Sequence, residues 1–269
     1  MSTVLVQLKR RSAGQTMRKG AWWLPSLLTF IGLGAFVVYS TWAAFQGDHY
    51  RFGHYLSPFY SPELIGNAAT AWFGDKANWV PAWVPSWAFS PALLILWAPA
   101  GFRFTCYYYR GAYYKAMWAD PISCAVGEPR TGYRGEKKFP LILQNAHRYF
   151  LYLALLFLIV LAYDAYEAMW FTNAAGKTSF GIGIGTIVLT ANVVCLSLYT
   201  FSCHSLRHLI GGGKNELSKN KTQQACYNCV SGLNRKHMLF AWLSLFVVGF
   251  SDIYIRLCSM GIWHDWRIL

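Results

Sequence analysis

The chain has 269 residues, of which 55% are hydrophobic and only 13% are charged, yet its formal net charge is +13. A soluble domain carries about 25% charged residues, so this chain has too few polar side chains to cover a globule of its size. The composition therefore argues against an ordinary soluble enzyme, a disordered protein and a small disulfide-rich secreted domain, and it favours an integral membrane protein.

Five apolar stretches are long enough to cross a bilayer, whose hydrocarbon core needs about 20 largely apolar residues per helix. Because the bilayer core contains no water to hydrogen-bond the backbone amides and carbonyls, we expect these stretches to be helical. The third is interrupted only by Arg148, and the last contains Asp252 and Arg256. We predict an all-α, polytopic membrane protein, a single domain over residues 1–269, whose five transmembrane helices form a bundle. The predicted helices span 22–46, 87–117, 142–170, 180–210 and 234–262.

Polar or mixed segments flank these helices. Residues 1–20 are polar, and the apolar stretch after them is too long for the core of a signal peptide, so no cleavable signal is expected. Residues 47–86 are rich in proline and aromatic residues, and we expect them to form an external segment on the membrane surface. We find no internal repeat in the sequence, whereas many secondary transporters are built from repeats.

The basic residues indicate the orientation of the chain. The tail 1–21 and the loops 110–140 and 207–236 together hold 17 of the 24 Lys and Arg residues. Because cytoplasmic segments carry the excess of Lys and Arg, we place the N-terminus in the cytoplasm and the C-terminus outside. Tryptophans gather near the ends of the spans, as in an interfacial belt. They are Trp22, Trp23, Trp79, Trp83, Trp87, Trp170, Trp263 and Trp266.

Ligand-type side chains occur on four predicted helices, all toward the cytoplasmic side. Cys106 and Cys203 lie near the inner ends of the second and fourth helices, while His147 and His237 lie at the starts of the third and fifth. The helical phases allow the four to converge. Two thiolates and two imidazoles suit a tetrahedral zinc ion or a Rieske-type [2Fe–2S] cluster, and a b-type haem needs only two histidines. In an apolar bundle we favour a redox role over structural zinc.

A second ligand set competes with this one. His204 and His208 are four residues apart, and Cys226 and Cys229 form a CxxC pair, which together loosely resemble a zinc site in reverse order. The two histidines can equally cap a helix or contact a partner protein or a lipid head group. A single buried cysteine is usually a small hydrophobic residue, whereas a polar group inside a membrane is costly and more often functional.

Basic and aromatic side chains near the inner helix ends have two interpretations. Arg103 and Arg148 can extend their guanidinium groups to the interface, or they can hold an anionic quinone intermediate or a haem propionate. The tyrosine-rich run 107–114 can anchor its helix at the interface, or it can form the aromatic wall of a quinone site.

Charges also occur within the fifth helix. Asp252 and Arg256 are four residues apart. Because charges inside a membrane usually pair, we expect them to pair with each other or with Asp164. A proton path toward the outside is the alternative.

Seven segments along the chain resemble one family. They are YSTWA at 39–43, SPALLILWAPAGFRFTCYYYRG at 90–111, LQNAHRYF at 143–150, CHSLRH at 203–208, NRKH at 234–237, CSMGIW at 258–263 and DWRIL at 265–269. In these segments the chain resembles the single-chain, five-helix membrane anchor of succinate dehydrogenase (succinate:quinone oxidoreductase). It is most similar to the actinobacterial type, in which a Rieske-type [2Fe–2S] cluster occupies the region where other members carry b haem.

The resemblance implies a multi-pass subunit in the inner (plasma) membrane of a prokaryote. It implies that an iron–sulfur subunit docks on the anchor and carries a flavoprotein subunit, which oxidises succinate or reduces fumarate. The anchor would then contain no dicarboxylate site and bind lipids but no nucleic acid, and the complex could form a higher-order oligomer. Electrons would pass from the iron–sulfur subunit through a membrane cofactor to a quinone.

The resemblance also bears on the cofactor. Many haem-bearing relatives place axial histidines within their first four helices, whereas the first two predicted helices here contain no histidine. This departure favours the cluster, with Cys106 and Cys203 on one iron and His147 and His237 on the other. A haem b anchor, or a small transporter, is the alternative. The alternate metal ligands are His204, His208, Cys226 and Cys229, and the predicted quinone-binding residues are Arg103, Tyr107, Arg148 and Arg207.

Overall fold

A computed structural model of the chain describes residues 12–81, 83–85, 89–130, 132, 137–139, 141–173, 176–212, 214 and 216–269. Trp87 of the predicted aromatic belt lies outside them. The described helices are α1 (Leu24–Gln46), α2 (Trp97–Thr105), α3 (Tyr107–Met117), α4 (His147–Glu167), α5 (Ile184–Phe201), α6 (His204–Gly211), α7 (Lys221–Asn234) and α8 (His237–Ser259). Antiparallel hairpins pair β1 (Arg51–Phe52) with β2 (Tyr55–Leu56), and β3 (Trp170–Thr172) with β4 (Thr178–Phe180). Short 3₁₀ helices cover Lys76–Asn78, Pro91–Leu94 and Leu141–Ala146.

Within the described residues, four helical segments are long and apolar enough to cross a membrane: α1, Ile142–Glu167, α5 and α8. Their large apolar side chains are partly uncovered, with Val38 71% and Ile159 68% exposed. A soluble protein would leave few such continuous apolar faces open to water, so these faces are suited to contact with lipid acyl chains.

The second predicted helix, 87–117, is not continuous, so the predicted count of five long helices is not reached among the described residues. Pro91 opens a 3₁₀ helix, and the proline ring keeps Ser90 before it extended. The chain then forms α2 and α3, which are separated by Cys106 in an extended conformation (φ −63°, ψ 133°). Neither α2 nor α3 approaches the length of about 20 residues that a span needs.

The fourth predicted helix, 180–210, is also interrupted. Helix α5 ends at Phe201, and α6 begins at His204 after Cys203, which adopts extended angles (φ −64°, ψ 138°). Both cysteines of the predicted ligand set therefore stand at the N-caps of short helices. A break of this kind interrupts the helical hydrogen bonds, and at membrane depth such backbone is tolerated only where protein buries it or a cavity adjoins it.

Glycines with positive φ mark the ends of two long helices. Gly47 follows α1 with φ +65°, and Gly261 follows the C-cap of α8 with φ +72°. A residue with a Cβ is strained in this left-handed region, and for this reason glycine commonly terminates helices. The start of α5 is stabilised differently: Thr186, in its first turn, accepts a hydrogen bond from the Gly183 amide at 3.2 Å.

Contacts divide the chain into two compact units, residues 1–35 with 104–145, and residues 36–103 with 146–269. In the first unit, Arg18 donates to the Ser123 hydroxyl at 2.7 Å. In the second unit, α5 packs against α4 and α8, α6 packs against α7, and the β1–β2 hairpin lies against α4 and α8. The second unit therefore contains the packed bundle.

A buried polar network lies in the predicted outer half of the second unit. Arg256 donates from Nε to Asp252 Oδ2 at 3.2 Å, so the predicted pairing of these residues is confirmed. Tyr39 donates to the same carboxylate at 2.5 Å, and Ser57 donates to its other oxygen. Asp164 takes a different partner, the hydroxyl of Ser61. Loop hydroxyls thus hydrogen-bond both carboxylates.

Candidate functional site

A histidine and a cysteine of the predicted ligand set are in contact in the second unit. His147 is the first residue of α4, and Cys203 is the N-cap of α6; their exposed fractions are 7% and 1%. His147 Nε2 lies 3.0 Å from Cys203 Sγ. The break between α5 and α6 leaves Cys203 outside both helices, which allows its thiol to lie beside the start of α4.

His237 is positioned by Ser202, the neighbour of Cys203. The Ser202 hydroxyl lies 2.6 Å from His237 Nδ1, and it donates its proton to the Tyr199 carbonyl at 2.9 Å. This contact and the carbonyl fix the place of the hydroxyl, so Ser202 orients the His237 ring as an outer-shell partner orients a metal-binding imidazole.

Aromatic rings hold both histidines in place. The Phe102 ring stacks on His147 with centroids 4.6 Å apart and planes 7° apart, and the backbone of Phe102 also hydrogen-bonds the His147 ring. Tyr199 stacks on His237 at 5.1 Å. These side chains fix the orientation of the rings, as the outer shell of a metal site does.

A positive charge lies beside this cluster. The Arg103 guanidinium lies 4.8 Å from the centroid of the Tyr199 ring. It also donates to the Ser244 hydroxyl at 3.1 Å and to the Ala241 carbonyl at 3.4 Å. Arg103 is therefore held against α8, and its charge lies next to the ring that stacks on His237.

A cavity of about 420 Å³ opens beside Arg103. Most of its wall is apolar and comes from α1, α2, α4, α5 and α8, all within the second unit. The polar residues that line it are Ser40, Thr41, Arg103, Tyr199 and Thr200. The cavity thus places an apolar volume next to the residues that hold His237.

The remaining predicted site residues are distributed as follows. Cys106 is buried at the N-cap of α3 in the first unit. Tyr107, the next residue, is exposed, and the centroid of its ring lies 4.2 Å from the Arg110 guanidinium. Arg148 is exposed, with its guanidinium 5.1 Å from the Tyr149 ring. Arg207 lies 5.0 Å from the Tyr227 ring. Among the predicted quinone residues of the second unit, Arg103 is the one that borders the cavity.

The alternate ligands form two pairs on different helices. His204 and His208 on α6 have their Nε2 atoms 2.9 Å apart, and Cys226 and Cys229 are exposed on α7. In the part of the chain that the structure describes, no three His, Cys, Asp or Glu side chains surround a common point as ligands of one metal ion do.

Sequence reasoning missed the supporting residues Ser202, Tyr199 and Phe102. The sequence did point to Ser202, because this residue directly precedes the predicted ligand Cys203. Their roles depend on packing between helices that are distant in sequence, which the pattern of one chain does not reveal.

Comparison with known proteins supplies the family. The family described as actinobacterial succinate dehydrogenase subunit SdhC matches residues 24–261. A chain of the Mycobacterium smegmatis Sdh1 complex, solved in the apo form, is 43% identical, with a TM-score of 0.85 over 100% of this chain and 98% of that one. No curated protein matches the chain. From the match over most of its length, together with the long apolar helices, the chain belongs to the actinobacterial SdhC family, the membrane anchor subunits of succinate dehydrogenase.

Proposed function

We propose that this anchor passes electrons from the iron–sulfur subunit of succinate dehydrogenase to a quinone, through a Rieske-type [2Fe–2S] cluster bound by Cys106, His147, Cys203 and His237. The observation that carries the proposal is the contact of 3.0 Å between His147 Nε2 and Cys203 Sγ, next to a His237 whose Nδ1 contacts the Ser202 hydroxyl.

The residues suit such a cluster in ligand type and in surroundings. A Rieske-type cluster takes two cysteines on one iron and two histidines on the other. Cys203 supplies a buried thiol, and the two imidazoles are oriented by stacking and by the Ser202 hydroxyl. Cys106 is the second thiol of the proposal, buried at the equivalent kind of helix break. When bound, the group supplies one-electron transfer at a higher potential than an all-cysteine cluster.

The chain's own residues prepare the site. The Ser202 hydroxyl contacts Nδ1 of His237 and orients its ring, as outer-shell partners do for histidine ligands. Burial of His147 and Cys203 keeps water from the sulfur. Arg103 contributes a fixed positive charge, which favours negative charge arriving near Tyr199.

The cavity beside Arg103 supports a quinone role. Small-molecule sites typically occupy about 300–1,000 Å³ and combine apolar walls with a few polar groups. A cavity of about 420 Å³ meets this description, with Arg103 and Thr200 as polar groups for a quinone head and an apolar wall for its isoprenoid tail. We therefore assign Arg103 the head-group role among the predicted quinone residues.

The partners and location follow from the same proposal. We place the helix breaks at the cytoplasmic face of the plasma membrane, where the excess of basic residues lies. An iron–sulfur subunit docked there would deliver electrons, while the flavoprotein subunit would hold the only dicarboxylate site. This arrangement makes the anchor part of a quinone-reducing enzyme without its own succinate chemistry.

Metal analysis of the purified complex tests the proposal. Iron and acid-labile sulfide are measured together with electron paramagnetic resonance (EPR) and haem absorbance spectra, for the wild type and for Cys203→Ser. We expect a [2Fe–2S] signal that Cys203→Ser removes, while the signals of the partner subunits remain. The matched control is Cys124→Ser, an exposed cysteine in the loop after α3. A haem spectrum without this signal would select the haem b alternative, and the absence of both would refute the redox role.

A further inference from the structure

Two histidines outside the proposed redox site have their Nε2 atoms within hydrogen-bond distance of each other. His204 and His208 are exposed and lie one turn apart on α6. Their Nε2 atoms are 2.9 Å apart, and the ring planes are at 83° to each other. Residues four apart on a helix share one face, and the separation is that of an N–H···N hydrogen bond, whose shared proton a metal ion between the two nitrogens would replace.

The helix that carries this pair is held in place. The Arg207 guanidinium lies against the Tyr227 ring of α7. Gln223 of α7 donates from Nε2 to the Ile210 carbonyl at 2.5 Å, which fixes the far end of α6. The two imidazoles are therefore presented from a fixed helix, which lowers the cost of ordering them around a ligand.

The separation of the two nitrogens matches the demands of particular metal ions. Two nitrogens that each lie about 2.0–2.1 Å from one ion are about 2.9 Å apart when the angle at the ion is 90°. Right-angled nitrogen ligation is typical of Cu²⁺ and Ni²⁺, and imidazole is a favoured ligand of both. Tetrahedral zinc would need a wider separation of the nitrogens.

From this geometry we propose that His204 and His208 form a two-histidine binding site for a divalent transition-metal ion, with Cu²⁺ and Ni²⁺ as the best-fitting ions and water in the remaining positions. Exposure of both side chains gives an ion and its water ligands direct access. The site is distinct from the proposed redox ligands, although His204 follows Cys203 in the chain.

Copper and nickel titrations of the purified complex, after treatment with a chelator, test this site. The EPR spectrum of bound Cu²⁺ is expected to show hyperfine splitting from two imidazole nitrogens, and calorimetry with Ni²⁺, which does not oxidise thiols, is expected to show one site. His204→Ala and His208→Ala should each lower the affinity by about 10–100-fold or more, since the loss of even an outer-shell partner costs that much.

The matched control is the double variant Cys226→Ser with Cys229→Ser, which removes the two exposed thiols of α7. Unchanged Cu²⁺ and Ni²⁺ affinity in this control supports the histidine site. Wild-type affinity in the histidine variants, or loss of binding in the cysteine variant alone, would overturn it, as would a complex that binds neither ion. The [2Fe–2S] signal of the metal-stripped complex is recorded beforehand, so failure of the proposed redox function is seen separately.

Discussion

Ser202 Oγ lies 2.6 Å from His237 Nδ1, and this short contact joins the break after α5 to the start of α8. Ser202 is fully buried, and its carbonyl accepts a hydrogen bond from Asn234 at 2.8 Å, so the hydroxyl has little freedom to turn away. Ser202 therefore adjoins Cys203 in the chain and at the same time holds the His237 ring in place. This relationship links the backbone break to the chemistry of the site.

Removal of the Ser202 hydroxyl should disturb the redox centre without unfolding the chain. In Ser202→Ala, Nδ1 of His237 loses its hydrogen-bond partner, and loss of such an outer-shell partner typically lowers metal affinity or activity by about 10–100-fold. We expect a weakened and shifted [2Fe–2S] EPR signal in the purified complex and slower quinone reduction. Ser205→Ala, on α6, is the control and should behave as wild type. Equal signals in the two variants would contradict the role given to Ser202.

Filling the cavity should block the quinone and spare the redox centre. Ala154 lines the cavity, and a phenylalanine there would occupy much of its volume. Ala154→Phe is expected to lower quinone reduction at least tenfold while the EPR spectrum stays unchanged. Leu156→Phe, which adds an aromatic ring on the exposed face of the same helix, should have little effect. Full activity of Ala154→Phe would place the quinone elsewhere.

The buried ion pair of α8 should be sensitive to the loss of one partner. Asp252 is fully buried, so Asp252→Ala leaves the Arg256 charge without its carboxylate in the apolar interior. Breaking such a pair costs about 3–5 kcal/mol. Thermal unfolding of the complex in detergent should show a clear loss of stability. Asp252→Asn keeps the shape of the side chain and an acceptor for Tyr39, so we expect it to lower the stability less than Asp252→Ala does. The opposite order would show that the pair does not stabilise the bundle.

Acid should destabilise the segment between α1 and α2 through Glu63. Burial alone raises the pKa of this carboxyl, but hydrogen bonds from the Asn67 amide, Arg51, Tyr50 and Thr70 outweigh it and hold the pKa below its ordinary value. A carboxyl with a lowered pKa stabilises the folded state above its unfolded pKa, and this stabilisation is lost as the pH falls through the folded pKa.

Stability measured against pH tests this prediction. The thermal midpoint of the wild type should fall as the pH drops below the ordinary carboxyl range, and that of Glu63→Gln should start lower at neutral pH and fall less. Parallel curves for the two proteins would show that another carboxyl dominates acid sensitivity.

The apolar stretches by themselves determined the class and most helix positions of this protein. The predicted spans contain the helices α1, α4, α5 and α8. In a run of about 20 apolar residues inside a bilayer, the backbone groups must hydrogen-bond within the segment, and a helix satisfies this requirement. The spacing of Asp252 and Arg256 likewise indicated their pairing, since both lie on one helix face. Local periodicity is sufficient for features of this kind.

Only the tertiary structure decided where the long spans break and what surrounds the candidate ligands. No proline or glycine adjoins Cys106 or Cys203, so a pattern averaged over a whole span predicts continuous helices through both. The extended conformation of one residue, and the meeting of Ser202 with His237, depend on packing between segments 35 residues apart. Contacts of that range are set by how several helices fill space together, which the order of residues along one chain does not specify.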